Sequence, residues 1–200
     1  MSNFNELDTV KNIHIPFKKA ADNIYSGIFK NCIIERFDGK GAPHILDQQL
    51  GVDLKITLST GAVFTVQEKF RECSAWDSYH QFTQEMWNGD DTEGEWFHLH
   101  ADWYFYGWCL PVSDKMENQF LEWFIMDIVE YKLIAHRAGG VENLGSAEKN
   151  KKHGKAKFVG IPYNRLNQAI RFHGTGKVLS CRKIEPNFFT KPIAFIKERS

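Results

Sequence analysis

Two β-rich runs joined by a three-residue turn constrain this chain more than any other feature of it. Residues 54–58 (LKITL) and 62–70 (AVFTVQEKF) are rich in β-branched and aromatic residues, and residues 59–61 (STG) have the composition of a tight turn. The segment therefore predicts a β-hairpin. Asp53 stands at the start of the first strand, so the second strand returns to it near position 67.

Alternation along the second strand sorts its side chains onto two faces. Successive strand residues point to opposite faces, so Gln67 and Lys69 project together and Glu68 projects the other way. With Asp53 at the same end of the hairpin, an acid, an amide oxygen and an ammonium converge. A register slip of one residue would instead put Glu68 on this face and remove Lys69 from it.

These groups have the chemistry of a divalent-metal site. Mg²⁺ prefers oxygen ligands and keeps several waters, so the Asp53 carboxylate, the Gln67 side-chain oxygen and the Glu68 carbonyl would suffice, with a substrate phosphate completing the shell. Lys69 could orient or help to deprotonate the attacking water and stabilise charge on phosphorus. The ordinary alternative is that Asp53 caps a turn and Lys69 is a solvated strand-end residue.

The run Gly51-Val52-Asp53, followed after the turn by Val66-Gln67-Glu68-Lys69, resembles the PD-(D/E)xK nuclease superfamily. In that superfamily an Asp opens the second core strand and a (D/E/Q)xK triplet closes the third. The resemblance covers about residues 17–110. It implies a restriction-endonuclease-like α/β fold, with a central mixed β-sheet flanked by helices, and hydrolysis of DNA, or less often RNA, with Mg²⁺ or Mn²⁺. It also implies that an acid from the preceding helix joins the metal shell, and Glu35 is the candidate by position, with Asp47 second.

Two positions depart from the family pattern. Gln67 replaces the usual acid of the triplet, and Val52 stands where a proline usually precedes the Asp. Because the site then holds one fewer negative charge, we expect weak metal binding in the free protein and a greater dependence on the substrate phosphate. The alternative to an active nuclease is a catalytically inactive nucleic-acid-binding or interaction module of the same fold.

Other segments predict the remaining elements of the domain from apolar periodicity and turn residues. We predict helices over 16–31 and 114–137, shorter helices over 74–87 and 163–172, a strand or helix end over 32–37, and strands over 95–109 and 158–161. Strands mixed with a few helices favour an α/β sheet domain.

The segment from Glu95 to Cys109 carries two features with chemical alternatives. His98, His100 and Asp102 would share a strand face and have the ligand chemistry of a Zn²⁺ site, or could lie beside a substrate phosphate, although a polar face without metal is more ordinary. The aromatic run at 103–108 could stack unpaired bases. A central strand has the same composition, so we expect core packing.

A lysine-rich segment over 141–157 has few apolar residues and predicts a basic loop or hairpin tip. Such a loop could follow a phosphate backbone through salt-dependent, sequence-independent attraction, or could be a solvated charge run. Its candidate nucleic-acid-binding residues are Lys149, Lys151, Lys152, Lys155 and Lys157.

Charge and composition bound the remaining expectations. The 25 basic and 25 acidic residues cancel, so nucleic-acid binding must come from local patches. The four cysteines form no CxxC pair, as in reduced thiols of a cytoplasmic protein. No apolar run approaches the roughly 18–20 residues that span a bilayer, so we expect no membrane partner.

The chain length suits one domain over 1–200, with a core at about 17–110 and the 141–157 loop as part of a C-terminal decoration. A fold with one active site per chain that cuts both DNA strands usually works as a symmetric homodimer, so a homodimer is possible.

Overall fold

A six-stranded mixed sheet forms the centre of the structure, a computed structural model that describes residues 15–37, 50–72, 80–88, 92–110, 119–149 and 156–175. Its strands are β1 (Ile33–Arg36), β2 (Leu54–Thr57), β3 (Val63–Glu72), β5 (Trp103–Leu110), β6 (Gln119–Asp127) and β9 (Ile170–Thr175), in the spatial order β1-β2-β3-β5-β6-β9. Only β3 and β5 pair in parallel; the other neighbours within this sheet are antiparallel.

A smaller antiparallel sheet and two helices cover the central sheet. The smaller sheet contains β4 (Phe82–Trp87), β7 (Ser146–Lys149) and β8 (Lys157–Ile161) in the order β4-β8-β7. The two α-helices that lie wholly within the described residues are α1 (Ile15–Ile28) and α2 (Ile128–Arg137). The predicted α/β class and central mixed sheet are therefore confirmed.

Each face of the central sheet packs against its own apolar core. On one face α1 inserts Phe17 and Tyr25 against β2 and β3 residues such as Ile56 and Val66. On the other face, β5 and β6 pack against α2 and the smaller sheet, with Tyr106 fully buried there. Strand β5 is buried on both faces, so its aromatic run packs in the core, as expected.

The predicted hairpin forms with β2 and β3 as its strands. Pairing runs from Leu54 opposite Val66 to Thr57 opposite Val63, and the turn places Gly61 at φ +85°. Glycine suits this left-handed conformation because it lacks a Cβ. Strand β3 continues to Glu72, so the QxK triplet lies within the strand and does not close it.

The helix predicted over 114–137 is wrong over residues 119–127, and residues 114–118 lie outside the described chain. Residues 119–127 form β6, and α2 begins only at Ile128, where the Asp127 side chain caps it by accepting from the Glu130 N–H at 3.1 Å. The apolar residues of β6 also fit a helical period, because a strand buried on both faces is almost continuously apolar. Pairing with β5 on one side and β9 on the other decides for the strand.

Three other sequence predictions change type. Residues 82–87 form β4 where a helix was predicted, and residues 73–79 lie outside the described chain. The segment 95–98 is a 3₁₀ turn, and the strand begins at Trp103. The predicted helix at 163–172 is a 3₁₀ turn, Tyr163–Arg165, followed by β9. Short apolar runs fit either period, and pairing in a sheet resolves them.

Two remaining expectations have outcomes in the described chain. Cys32 and Cys109 are not in disulfide bonds, while Cys73 and Cys181 lie outside it. No helix among the described residues is both long enough and apolar enough to cross a bilayer.

Candidate functional site

Asp53 is held against the middle of the QxK triplet. It lies one residue before β2, and its main-chain N–H donates to the Val66 carbonyl at 2.9 Å. Its carboxylate oxygen Oδ2 accepts a hydrogen bond from the Glu68 main-chain N–H at 2.6 Å. A bond from a backbone N–H to a carboxylate is charge-assisted, so it orients Asp53 firmly beside the triplet.

The triplet side chains divide between the two faces of the sheet as alternation predicts. Glu68 turns towards α1, where it accepts from the Tyr25 hydroxyl at 2.9 Å and from Arg36 at 2.7 Å. Gln67 and Lys69 lie on the opposite face. The register therefore carries no slip, and Glu68 contributes its main chain, not its carboxylate, to the side of the sheet that holds Lys69.

The Gln67 amide is incompletely bonded. Its oxygen Oε1 is buried and accepts no hydrogen bond from the described residues, and its nitrogen donates only a long bond, 3.4 Å, to the Glu68 carbonyl. A buried acceptor without a donor costs about 1–3 kcal/mol. Such an oxygen is suited to a cation or an ordered water.

Gly51 makes the space for this amide. It adopts φ +56°, and a Cβ at this position would come within 3.0 Å of the Gln67 oxygen and 2.7 Å of the His98 carbonyl oxygen. The His100 N–H also donates to the Leu50 carbonyl at 3.1 Å. The segment before β2 and the segment before β5 therefore meet above Gln67.

Lys69 forms a buried ion pair that the sequence did not indicate. Its ammonium lies 2.5 Å from Glu95 Oε2, and the other Glu95 oxygen accepts from the Tyr104 hydroxyl at 2.5 Å. Gln84 donates to the same carboxylate at 3.3 Å. Glu95 belongs to the 3₁₀ turn before β5. Its position depends on the parallel pairing of β3 with β5, which the local sequence does not predict.

Burial sets the ionisation of this cluster. It lowers the pKa of Lys69, an effect that Glu95 opposes and that the nearby Arg71 charge reinforces. Burial also raises the pKa of Tyr104 and of Tyr131, so both phenols stay neutral donors. Tyr131 in turn donates to Gln84 at 3.2 Å, which ties the Glu95 carboxylate to helix α2.

Glu35 is not on a helix, contrary to the expectation. It lies on edge strand β1 opposite Lys55, and the two side chains form a partly exposed ion pair at 2.7 Å. The next pair along these strands joins Arg36 to Leu54, the residue that follows Asp53. The second candidate acid, Asp47, lies outside the described residues.

The lysine-rich segment lies between two antiparallel strands, β7 and β8. Lys149 on β7 pairs in register with Lys157 on β8, so both lie where these strands adjoin the segment between them. The candidate residues Lys151, Lys152 and Lys155 of that segment lie outside the described residues.

The alternative zinc residues do not share a strand face. His98 ends a 3₁₀ turn with its Nε2 3.8 Å from Glu93, and the Asp102 carboxylate accepts from the Thr65 N–H at 2.7 Å. Within the described ranges, no three His, Cys, Asp or Glu side chains group to hold a metal ion. Any cation on the triplet would therefore depend on mixed oxygen donors.

The donors beside the triplet fit Mg²⁺ or Mn²⁺ in type. They are the Asp53 carboxylate, the unbonded Gln67 amide oxygen and the Glu68 carbonyl, all oxygen atoms. Mg²⁺ takes oxygen ligands and retains waters, so a small donor set with a single carboxylate is compatible with it.

Comparisons with protein-family models, with curated proteins and with solved structures find no match to this chain. No relative therefore lends it a substrate or a cofactor. Function is inferred from the chemistry of the triplet and its neighbours.

Proposed function

We propose that this protein is a metal-dependent nuclease with a restriction-endonuclease-like core that hydrolyses DNA phosphodiester bonds at Asp53, Gln67 and Lys69. The observation that carries the proposal is the buried Gln67 oxygen, which lacks a donor among the described residues and lies on the face that also holds Lys69. The Asp53 carboxylate is bonded to the main chain of the next residue, Glu68. An Asp at the start of the second strand of a mixed sheet, with the QxK triplet on the third, supports the same core.

In this mechanism the protein supplies position and charge. Asp53, the Gln67 oxygen and the Glu68 carbonyl would hold Mg²⁺ or Mn²⁺, which supplies Lewis-acid polarisation of the phosphoryl oxygen and a more acidic water. The Lys69 ammonium stabilises the negative charge that develops on phosphorus and orients the attacking water. Glu95 opposes the lowering of the Lys69 pKa by burial, because a neighbouring carboxylate favours the ammonium form.

Substitution of the two charged site residues tests the proposal. Wild type, Asp53→Asn and Lys69→Met are assayed on linear, nicked, branched and single-stranded DNA with Mg²⁺ or Mn²⁺, with Lys55→Met as a matched lysine control on the neighbouring strand. We expect cleavage by wild type and the control, and losses of at least about 100-fold in both site variants. No cleavage of any substrate by wild type, or normal cleavage by both site variants, would refute the proposal.

A second candidate is a relative of the same fold that binds nucleic acid or another partner without hydrolysis. The observation in its favour is that Asp53 is the single carboxylate in the donor set of the triplet. For this candidate, a gel-shift assay should show DNA binding by both wild type and Asp53→Asn, and wild type should cleave no DNA. The nuclease proposal includes a symmetric homodimer on duplex DNA. Light scattering with and without DNA measures whether that dimer forms.

A further inference from the structure

Arg71 lies two residues beyond Lys69 on the same face of β3 and is an unusual cation. Its side chain is partly buried, yet no carboxylate pairs with it anywhere in the described chain, and its Nε donor is buried without a hydrogen-bond partner. Buried guanidinium groups normally pair with carboxylates or other anions, because the charge is otherwise costly to desolvate.

The described groups in direct contact with the Arg71 side chain are uncharged and include hydroxyls. Arg71 Nη2 lies 2.5 Å from the Thr83 hydroxyl, which lies 3.2 Å from the Tyr106 hydroxyl. Burial raises the pKa of Tyr106, so its phenol remains a neutral donor. The Phe158 ring faces the guanidinium, with 5.9 Å between Cζ and the ring centroid.

This donor set has the chemistry of an oxyanion site. A guanidinium offers paired N–H donors whose geometry matches phosphate, and hydroxyls can donate to the remaining oxygens. Glu95 and Glu85 act electrostatically on the neighbouring Lys69, and Glu95 is bonded to that lysine. Within the described chain, Arg71 therefore has no carboxylate partner, and its Nε donor is unused.

Its place on β3 identifies the anion as a substrate phosphate. Side chains two residues apart on a strand are about 7 Å apart, a separation that one nucleotide step can span. Beyond Arg71, Phe158 belongs to β8, whose first residue, Lys157, adjoins the lysine-rich segment between β7 and β8. The triplet, Arg71 and β8 thus follow one another across the protein.

We propose that Arg71, Thr83 and Tyr106 form a second anion subsite, which binds the phosphate next to the one that is cleaved. The identity of the substrate rests on the proposed function. Binding of an anion at the subsite does not depend on whether the protein hydrolyses DNA.

Titration of the metal-free protein with inorganic phosphate tests the subsite directly. We expect a saturable NMR shift of the Arg71 Nε–H resonance in wild type, assigned by its absence in Arg71→Lys. Arg71→Gln should weaken phosphate binding by about 10-fold or more, since a charge-assisted fork is lost. The exposed Arg165 gives a matched control, and Arg165→Gln should bind phosphate as wild type does.

The wild-type resonance keeps the test decisive even if Arg71→Gln fails to fold. Thr83→Val removes one hydroxyl and leaves the guanidinium in place, and it should weaken phosphate binding severalfold. An Arg71 resonance that ignores phosphate, or equal phosphate affinity in wild type and a folded Arg71→Gln, overturns the subsite.

A neutral methylphosphonate in place of the phosphate next to the cleaved bond separates the subsite from the nuclease. The neutral linkage should slow DNA cleavage by wild type at least about 10-fold. It should cause almost no additional slowing of cleavage by Arg71→Gln. Phosphate binding at Arg71 without DNA cleavage would refute the nuclease and retain the subsite. Cleavage that is indifferent to the neutral linkage, with no phosphate-dependent shift at Arg71, would refute the subsite and retain the nuclease.

Discussion

The Lys69 ammonium and the Glu95 carboxylate lie 2.5 Å apart, with only 16% and 14% of their side chains exposed. The two residues come from different elements, a central strand and the 3₁₀ turn that precedes the neighbouring parallel strand. The pair couples the position of the proposed catalytic lysine to the packing of a segment 26 residues away along the chain.

Loss of one partner should cost more stability than loss of both. Lys69→Met leaves the Glu95 carboxylate buried without its cation, which typically costs about 3–5 kcal/mol. The double variant Lys69→Met/Glu95→Gln removes both charges and keeps a polar group for Tyr104, so it should recover about half of that cost or more. Urea denaturation without metal measures the free energies of unfolding of four proteins: wild type, Lys69→Met, Glu95→Gln and the double variant. Additive losses in the double variant would show that the pair is not coupled.

The same pair predicts the pH dependence of cleavage. Burial lowers the pKa of Lys69 below its usual value, and Glu95 opposes this shift. As pH rises through that pKa the ammonium is lost, so kcat/KM should fall on the alkaline side. Glu95→Gln removes the charge that raises the pKa, so the alkaline limb should move to lower pH.

The exposed Glu93 provides the control for this profile. Its side chain is 58% exposed, and Glu93→Gln should leave the alkaline limb in place. A limb that stays fixed in Glu95→Gln, or moves to higher pH, would mean that Lys69 does not act as an ammonium ion.

The hairpin and its two faces could be predicted because both depend on local periodicity. Alternation of period two and a turn with Gly61 suffice to place Gln67 and Lys69 on one face and Glu68 on the other. The contacts of Glu68 with Arg36 and of Lys69 with Glu95 on opposite sides bear this out.

The partners of that face could not be predicted, because they arrive through non-local pairing. Glu95 reaches Lys69 only through the crossover between parallel strands, and Arg71 meets Phe158 only because a second sheet packs on the first. Strand β6 was mistaken for a helix for the same reason, since burial on both faces hides the two-residue period.

Alanine substitutions at Gly51 and Gly61, which both have positive φ, distinguish the cost of backbone strain from the cost of steric crowding at the site. Gly61→Ala meets no atom within 4 Å, so it should cost only about 1 kcal/mol of backbone strain. Gly51→Ala adds contacts of 2.7 Å with the His98 carbonyl and 3.0 Å with the Gln67 oxygen. It should therefore be less stable than Gly61→Ala and should displace the Gln67 amide.

Metal-dependent DNA cleavage measures the effect of displacing the Gln67 amide. We expect cleavage by Gly51→Ala to fall at least about 10-fold more than by Gly61→Ala, since a 1 Å misplacement is costly at an active site. Equal stability and equal activity in the two variants would show that Gly51 does not support the Gln67 amide.

The ion pair beneath α1 should matter far more to stability than the pair at the sheet edge. Glu68 is 3% exposed and bonds both Arg36 and Tyr25, whereas Glu35 is 51% exposed and pairs with Lys55. Glu68→Ala takes from Arg36 the more buried of its two carboxylate partners, the other being Asp22, and leaves the Tyr25 hydroxyl without its acceptor. It should cost about 2–3 kcal/mol. Glu35→Ala should cost about 1 kcal/mol or less. Urea denaturation compares the two, and similar losses would contradict the assigned difference.

Gln67→Glu should convert weak metal binding into strong metal binding. In the metal-free protein the new carboxylate would lie beside the Asp53 carboxylate and the His98 carbonyl oxygen, so the variant should unfold at a lower temperature than wild type. Mg²⁺ neutralises this charge, and an acidic ligand in place of an amide should raise Mg²⁺ affinity at least about 10-fold.

Thermal unfolding with and without Mg²⁺ measures both effects, and Gln168→Glu adds the same charge at an exposed position as a control. Mg²⁺ should raise the Tm of Gln67→Glu clearly and the Tm of wild type and Gln168→Glu only slightly. Equal Mg²⁺ stabilisation of all three proteins would place the cation elsewhere. If Mg²⁺ stabilises Gln67→Glu alone, the cation binds at the triplet, and the uncharged amide of wild type leaves the substrate phosphate to supply negative charge beside Asp53.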